Sequence, residues 1–119
     1  MKKLGIVEAR KIWRNQIHTT ATRKLAALRL LIKKDVINAD TIAKFATMPY
    51  KQFLATRYWE IIREVIIYRC KNKCVICNSE KQLQVHHRSY EYRGQEHTEE
   101  GLANLTTLCR DCHKKFHNK

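Results

Sequence analysis

The sequence predicts an α+β protein, mostly α: a basic helical N-terminal region over residues 1–70, then a small module of two strands and a helix over residues 71–119, stapled by cysteines. Three observations carry this reading. Apolar residues recur at helical spacing through residue 34 without a proline. From Lys71 onward, short apolar pieces alternate with polar, cysteine and histidine residues. Two C-x2-C pairs bracket those pieces.

In chain order, Ile6, Ala9, Trp13, Ile17, Leu25, Leu28, Leu31 and Ile32 form an apolar stripe, which His18-Thr19-Thr20 breaks into two helices. Asp40 is placed to cap a short helix through Ala46, which Met48-Pro49 stops. Thr56 is placed to cap a further helix with Trp59, Ile62 and Ile66 on one face. Leu83-Gln84-Val85 and Leu105-Thr106-Thr107-Leu108 read as the strands of a hairpin, joined by a long polar loop that contains Gly94. Residues 111–117 read as a short closing helix.

The formal net charge is +13, and it is unevenly spread. Residues 1–34 hold ten Lys or Arg against the single acid Glu8, whereas residues 74–119 hold seven basic and six acidic side chains. A field this lopsided attracts polyanions, of which nucleic-acid phosphate is the commonest, so DNA is the expected partner. No apolar run reaches the length of a signal peptide or a membrane span, so no membrane partner is expected. The expectation is an intracellular, cytoplasmic protein with reduced thiols.

Reduced C-x2-C pairs read as metal ligands. Cys74 and Cys77, with Cys109 and Cys112, offer four thiolates, which suit Zn2+ in a closed structural tetrahedron. The 31 residues between the pairs exceed an ordinary ribbon gap, so something functional is expected there. A finger that combines Cys74 and Cys77 with His113 and His117 is ruled out by the same gap. Cys70 is left over as a helix-face residue. His86 and His87 end the first strand, and adjacent strand residues face opposite ways, so one can bind a metal while the other acts as a base. His113 and His117, one helical turn apart, project from one face toward His86. A neutral imidazole suits both jobs near neutral pH.

These pieces together resemble the HNH nuclease module with its ββα-metal fold. The likeness runs through C-x2-C at 74–77, Leu-Gln-Val-His-His at 83–87, His-His-Arg-Ser-Tyr-x3-Gly-x-Glu at 86–96, Asn-Leu-Thr-Thr-Leu-Cys at 104–109 and Cys-His-Lys-Lys-Phe-His at 112–117. The resemblance implies a metal-dependent DNA endonuclease. In it His87 is the general base, Asn104 holds that base, and His86 with His113 and His117 binds a catalytic divalent ion (Mg2+, Mn2+ or Ni2+). Cutting both strands would call for a homodimer or two visits. A zinc-stapled module that binds DNA without cutting, and an RNA nuclease, remain the alternatives.

Overall fold

The computed structural model describes residues 4–117, with side chains through Lys115. Helices α1 (Ile6–Trp13) and α2 (Ala21–Lys33) are separate, as the His18-Thr19-Thr20 break predicts. Thr20 caps α2 by accepting the Arg23 N–H. Helix α3 (Ala39–Thr47) starts two residues earlier than expected, and its cap is Asn38, whose Oδ1 accepts the Thr41 N–H. Asp40 sits instead in the first turn, where its charge complements the helix dipole.

Pro49 then precedes a single turn, α4 (Tyr50–Phe53), which the sequence reading did not anticipate. Helix α5 (Arg57–Arg69) follows, capped by Thr56 as expected. Cys70 ends it, partly buried against the core. Strand β1 (Leu83–His87) pairs antiparallel with β2 (Leu105–Cys109), with His86 opposite Thr106 and His87 opposite Leu105. The connection between them holds a 3-10 turn at Tyr90–Tyr92 and a short helix, α6 (Glu99–Ala103), and α7 (Arg110–His117) closes the chain. The expected mix of mostly helix with one small hairpin is what folds.

One apolar core joins both parts of the chain. Ala9, Ile12, Leu25, Leu28 and Leu31 from the first two helices meet Phe53, Tyr58, Trp59, Ile62 and Val65, and Val85, Leu102 and Leu105 complete the cluster. Ile12 is fully buried and Ile6 is exposed, so the stripe on α1 is rotated from the expected one. Helix α5 buries the expected face of Trp59, Ile62 and Ile66 and widens it with Tyr58, Ile61 and Val65, while Glu60, Arg63 and Tyr68 stay exposed. Its position between α2 and the hairpin explains this. Aromatic side chains bury on the order of 150–250 Å² each, so Phe53, Tyr58 and Trp59 carry a large part of the apolar driving force.

The loop before α6 is pressed against that helix. A Cβ at Gly101 would stand 2.0 Å from the Gln95 carbonyl oxygen and 2.7 Å from the Glu96 Cα. Only a hydrogen fits there, and the close approach sets where Glu96 sits. Gly101→Ala is expected to lower stability by roughly 1–3 kcal/mol, seen as a lower midpoint in urea or thermal unfolding.

Candidate metal centre and active site

The cysteine site is built by two turns. After α5 the chain reverses through Lys71 and Asn72, both at positive φ. The Cys74 N–H then donates to the Ser79 carbonyl and the Val75 N–H to the Thr107 carbonyl, which pins the Cys74–Cys77 turn to β2. Cys109 ends β2 and Cys112 lies in the first turn of α7, where the Cys112 N–H donates to the Cys109 sulfur.

The four sulfurs all lie within 4.8 Å of one another. Cys77 Sγ and Cys109 Sγ are 3.6 Å apart, which is close to the edge of about 3.8 Å for a tetrahedron of ~2.3 Å zinc–sulfur bonds and far beyond a disulfide length. All five cysteines are free thiols. Burial raises the Cys74 thiol, but N–H groups of Cys77, Cys109 and Ile76 outweigh it and bring it down to about 6, favouring thiolate. Cys112 is pushed up to about 12 by its hydrogen bond with Cys109 and by burial. Crowded sulfurs that cannot all ionise unaided are what a divalent cation satisfies. The donor set fits zinc.

The histidines divide as the strand pleat requires. His86 is buried on the α7 side, its ring 5.2 Å from the His113 ring and nearly perpendicular to it. Two imidazoles at that separation fit a shared ion. The side chain of His117, the third expected ligand, lies outside the described residues.

His87 points the other way, and its side chain has no exposed surface. Its ring stacks on Trp59 at 4.8 Å. Nε2 is 2.9 Å from Glu96 Oε2, and Nδ1 is 3.2 Å from the Tyr50 hydroxyl. Glu96 is also fully buried, and its Oε1 accepts from the Gly94 N–H at 2.7 Å and the Tyr58 hydroxyl at 3.2 Å. A carboxylate only accepts, so Nε2 of His87 carries the hydrogen toward Glu96, and Nδ1 faces the Tyr50 hydroxyl. Burial, with help from Glu96, holds the Tyr58 hydroxyl well above its usual range, so it stays a donor.

Asn104 braces the chain just beyond β1. Its Nδ2 donates to the Ser89 carbonyl at 2.6 Å, and the Arg88 N–H donates back to the Asn104 carbonyl at 2.9 Å. A cleft of about 480 Å³ runs beside β1, lined by Tyr50, Trp59, Arg63, Gln84, Val85 and His113 among others. It reaches both His113 and Tyr50, whose hydroxyl meets His87.

Residues 69–119 match the HNH endonuclease family model. The match covers the cysteine site, both strands and α7, so this part of the chain is similar to that family. No curated protein and no solved structure matches the chain. The wall around His87 is only partly inside the HNH segment: Glu96 belongs to it, whereas Tyr50, Phe53, Tyr58 and Trp59 precede it.

Sequence reasoning assigned no role to Glu96, Tyr50 or Tyr58. Glu96 stood in the quoted motif, nine residues past His87, and an acid at a fixed distance from a paired histidine was the available signal. No local signal points to Tyr50, which lies 37 residues before its partner. The purified chain is expected to hold about one zinc per molecule by elemental analysis. Cys109→Ser should lower that content and the melting temperature together, because binding to such a site is coupled to folding.

Proposed function

We propose that this chain is a metal-dependent HNH endonuclease that hydrolyses DNA phosphodiester bonds. The observation that carries the reading is the pairing of His86 with His113 on one side of β1, while His87, on the other side, is fixed by a buried carboxylate. A module needed only to bind DNA has no use for that division.

In this reading His86 and His113, with His117, hold a divalent ion beside the cleft. When bound, such an ion neutralises charge developing on the phosphate and on the leaving oxygen. An all-imidazole donor set suits Mn2+ or Ni2+ better than Mg2+. The four-cysteine zinc is structural, since its thiolates leave no open position.

His87 is the proton acceptor for the attacking water. Glu96 holds its Nε2–H, keeps Nδ1 as the basic atom and faces the imidazolium once the proton has moved, which is the orienting role of a third group behind a base. Asn104 keeps the backbone after His87 in place. In-line attack with a leaving 3′ oxygen gives 5′-phosphate ends.

The duplex is held by exposed basic side chains. Arg63 lines the cleft, and Arg88, Arg110, Lys114 and Lys115 are exposed within the HNH segment. Among the described N-terminal basic residues, Arg23 pairs with Glu8, Lys24 with Glu64 and Arg29 with Glu99. Binding through the remaining basic side chains, exposed ones such as Arg10, Lys11 and Arg14 among them, is sequence-independent and salt-sensitive, with log affinity falling by about 0.9 per unit of log salt for each phosphate neutralised.

The deciding experiment is cleavage of supercoiled plasmid with Mg2+, Mn2+ or Ni2+. The natural chain is expected to relax or linearise the plasmid. His87→Ala and His86→Ala should lose at least about 100-fold in rate while still binding DNA and zinc. If the natural chain binds DNA but cuts under no metal, the nuclease reading fails and a zinc-stapled binding module replaces it. Metal-free cleavage confined to RNA would move the activity to ribose chemistry instead.

A further inference from the structure

The base assignment meets an obstacle in the fold, and the obstacle points to another residue. His87 has no exposed side-chain surface, so water in the cleft cannot touch its ring. Trp59 covers one face of the ring, Phe53 and Tyr90 flank it, and Glu96 occupies Nε2. The remaining nitrogen, Nδ1, meets the Tyr50 hydroxyl at 3.2 Å. Tyr50 is half-buried and lines the same cleft as His113. Trp59 and Tyr50 both line that cleft and both touch His87, but Trp59 meets only the ring face, whereas Tyr50 meets a ring nitrogen through its hydroxyl.

We propose, building on the nuclease reading above, that Tyr50 is a catalytic residue that relays the proton from the attacking water to His87. As water attacks phosphorus, its O–H bond breaks and that proton passes to Tyr50 Oη. The phenolic proton of Tyr50 moves to Nδ1 of His87, the water's electron pair forms the new P–O bond, and the 3′ oxygen leaves with the electrons of the bond that breaks. Tyr50 ends as the hydroxyl it began as, and His87 ends as an imidazolium facing Glu96.

The surroundings of Tyr50 suit this role. Burial, followed by Tyr90, raises its hydroxyl above the ordinary range against the lowering effect of Arg93, and Glu96 adds to the rise. It therefore stays protonated and able to donate. The ring is fixed by Tyr90 at 5.3 Å, Phe53 at 6.2 Å and the Arg93 guanidinium at 5.7 Å. Arg93 is itself anchored to the Met48 carbonyl, just before Pro49 and α4. Glu96 acts as a positioning residue that fixes which nitrogen of His87 faces Tyr50.

The test compares the natural chain, Tyr50→Phe and His87→Ala in single-turnover plasmid cleavage with Mn2+, repeated in mixtures of H2O and D2O. Nitrogen-15 NMR of the His87 ring is recorded on the natural chain. Phenylalanine keeps the ring packing and removes only the hydroxyl. Tyr50→Phe is expected to lose about 100-fold or more in rate, with DNA affinity, zinc content and melting temperature unchanged. The natural chain should give a bowed proton inventory, from two protons moving together, and the NMR should find the proton on Nε2.

If Tyr50→Phe cuts at the natural rate or faster, Tyr50 only covers His87 and the relay is overturned. A proton on Nδ1 overturns it too, whether or not the chain cuts. If His87→Ala cuts as well as the natural chain, the base assignment has failed, and the relay falls with it. A natural chain that cuts under no metal while its proton sits on Nε2 removes both proposals through loss of the activity rather than of the geometry.

Discussion

The arrangement around β1 depends on one buried charge. Glu96 has no exposure, and an unpaired carboxylate at such a depth costs several kcal/mol. The fold satisfies it with a backbone N–H from Gly94, a hydroxyl from Tyr58 and the Nε2–H of His87. Those donors come from the hairpin connection, from α5 and from β1, so one carboxylate ties three segments at a single point. The tie continues outward, because the Tyr58 hydroxyl also accepts the His97 N–H and the His97 carbonyl accepts from Arg29 on α2.

The four-cysteine site and this network divide the work of holding a small module. The cysteine turns fix the far ends of β2 and α7 through sulfur, in a satellite cluster of Cys74, Leu108 and Cys109. The carboxylate network and the main core fix the near ends, where Val85 and Leu105 meet the helices. The two histidines sit between these anchors, on opposite faces of one strand, so neither anchor alone would hold both rings in place.

The parts of the fold legible in the sequence were those with local signals. Matched cysteine pairs, the short apolar strand segments, the cap at Thr56 and the stop at Met48-Pro49 are all short-range patterns, and each was placed to within a residue or two. Asp40 lost its expected place to Asn38 because an asparagine two residues earlier offers the same cap geometry. The opposite facing of His86 and His87 followed from the pleat alone. The single turn at α4, the short α6 and the roles of Tyr50, Tyr58 and Glu96 were not legible, because contacts such as Tyr50 to His87 or Tyr58 to Glu96 link residues 37 and 38 positions apart and leave no periodicity behind.

That α5 packs against both strands also bears on how portable this unit is. The family match begins at residue 69, yet the aromatic wall over His87 is supplied by Phe53 and Trp59 before that boundary. Cut at the boundary, the segment would keep its sulfurs and its helix histidine but present Val85, Leu105 and the face of His87 to water. For transplantation the indivisible part therefore starts at α4, and a graft that leaves α4 and α5 behind would carry the family signature without the enclosure that holds His87.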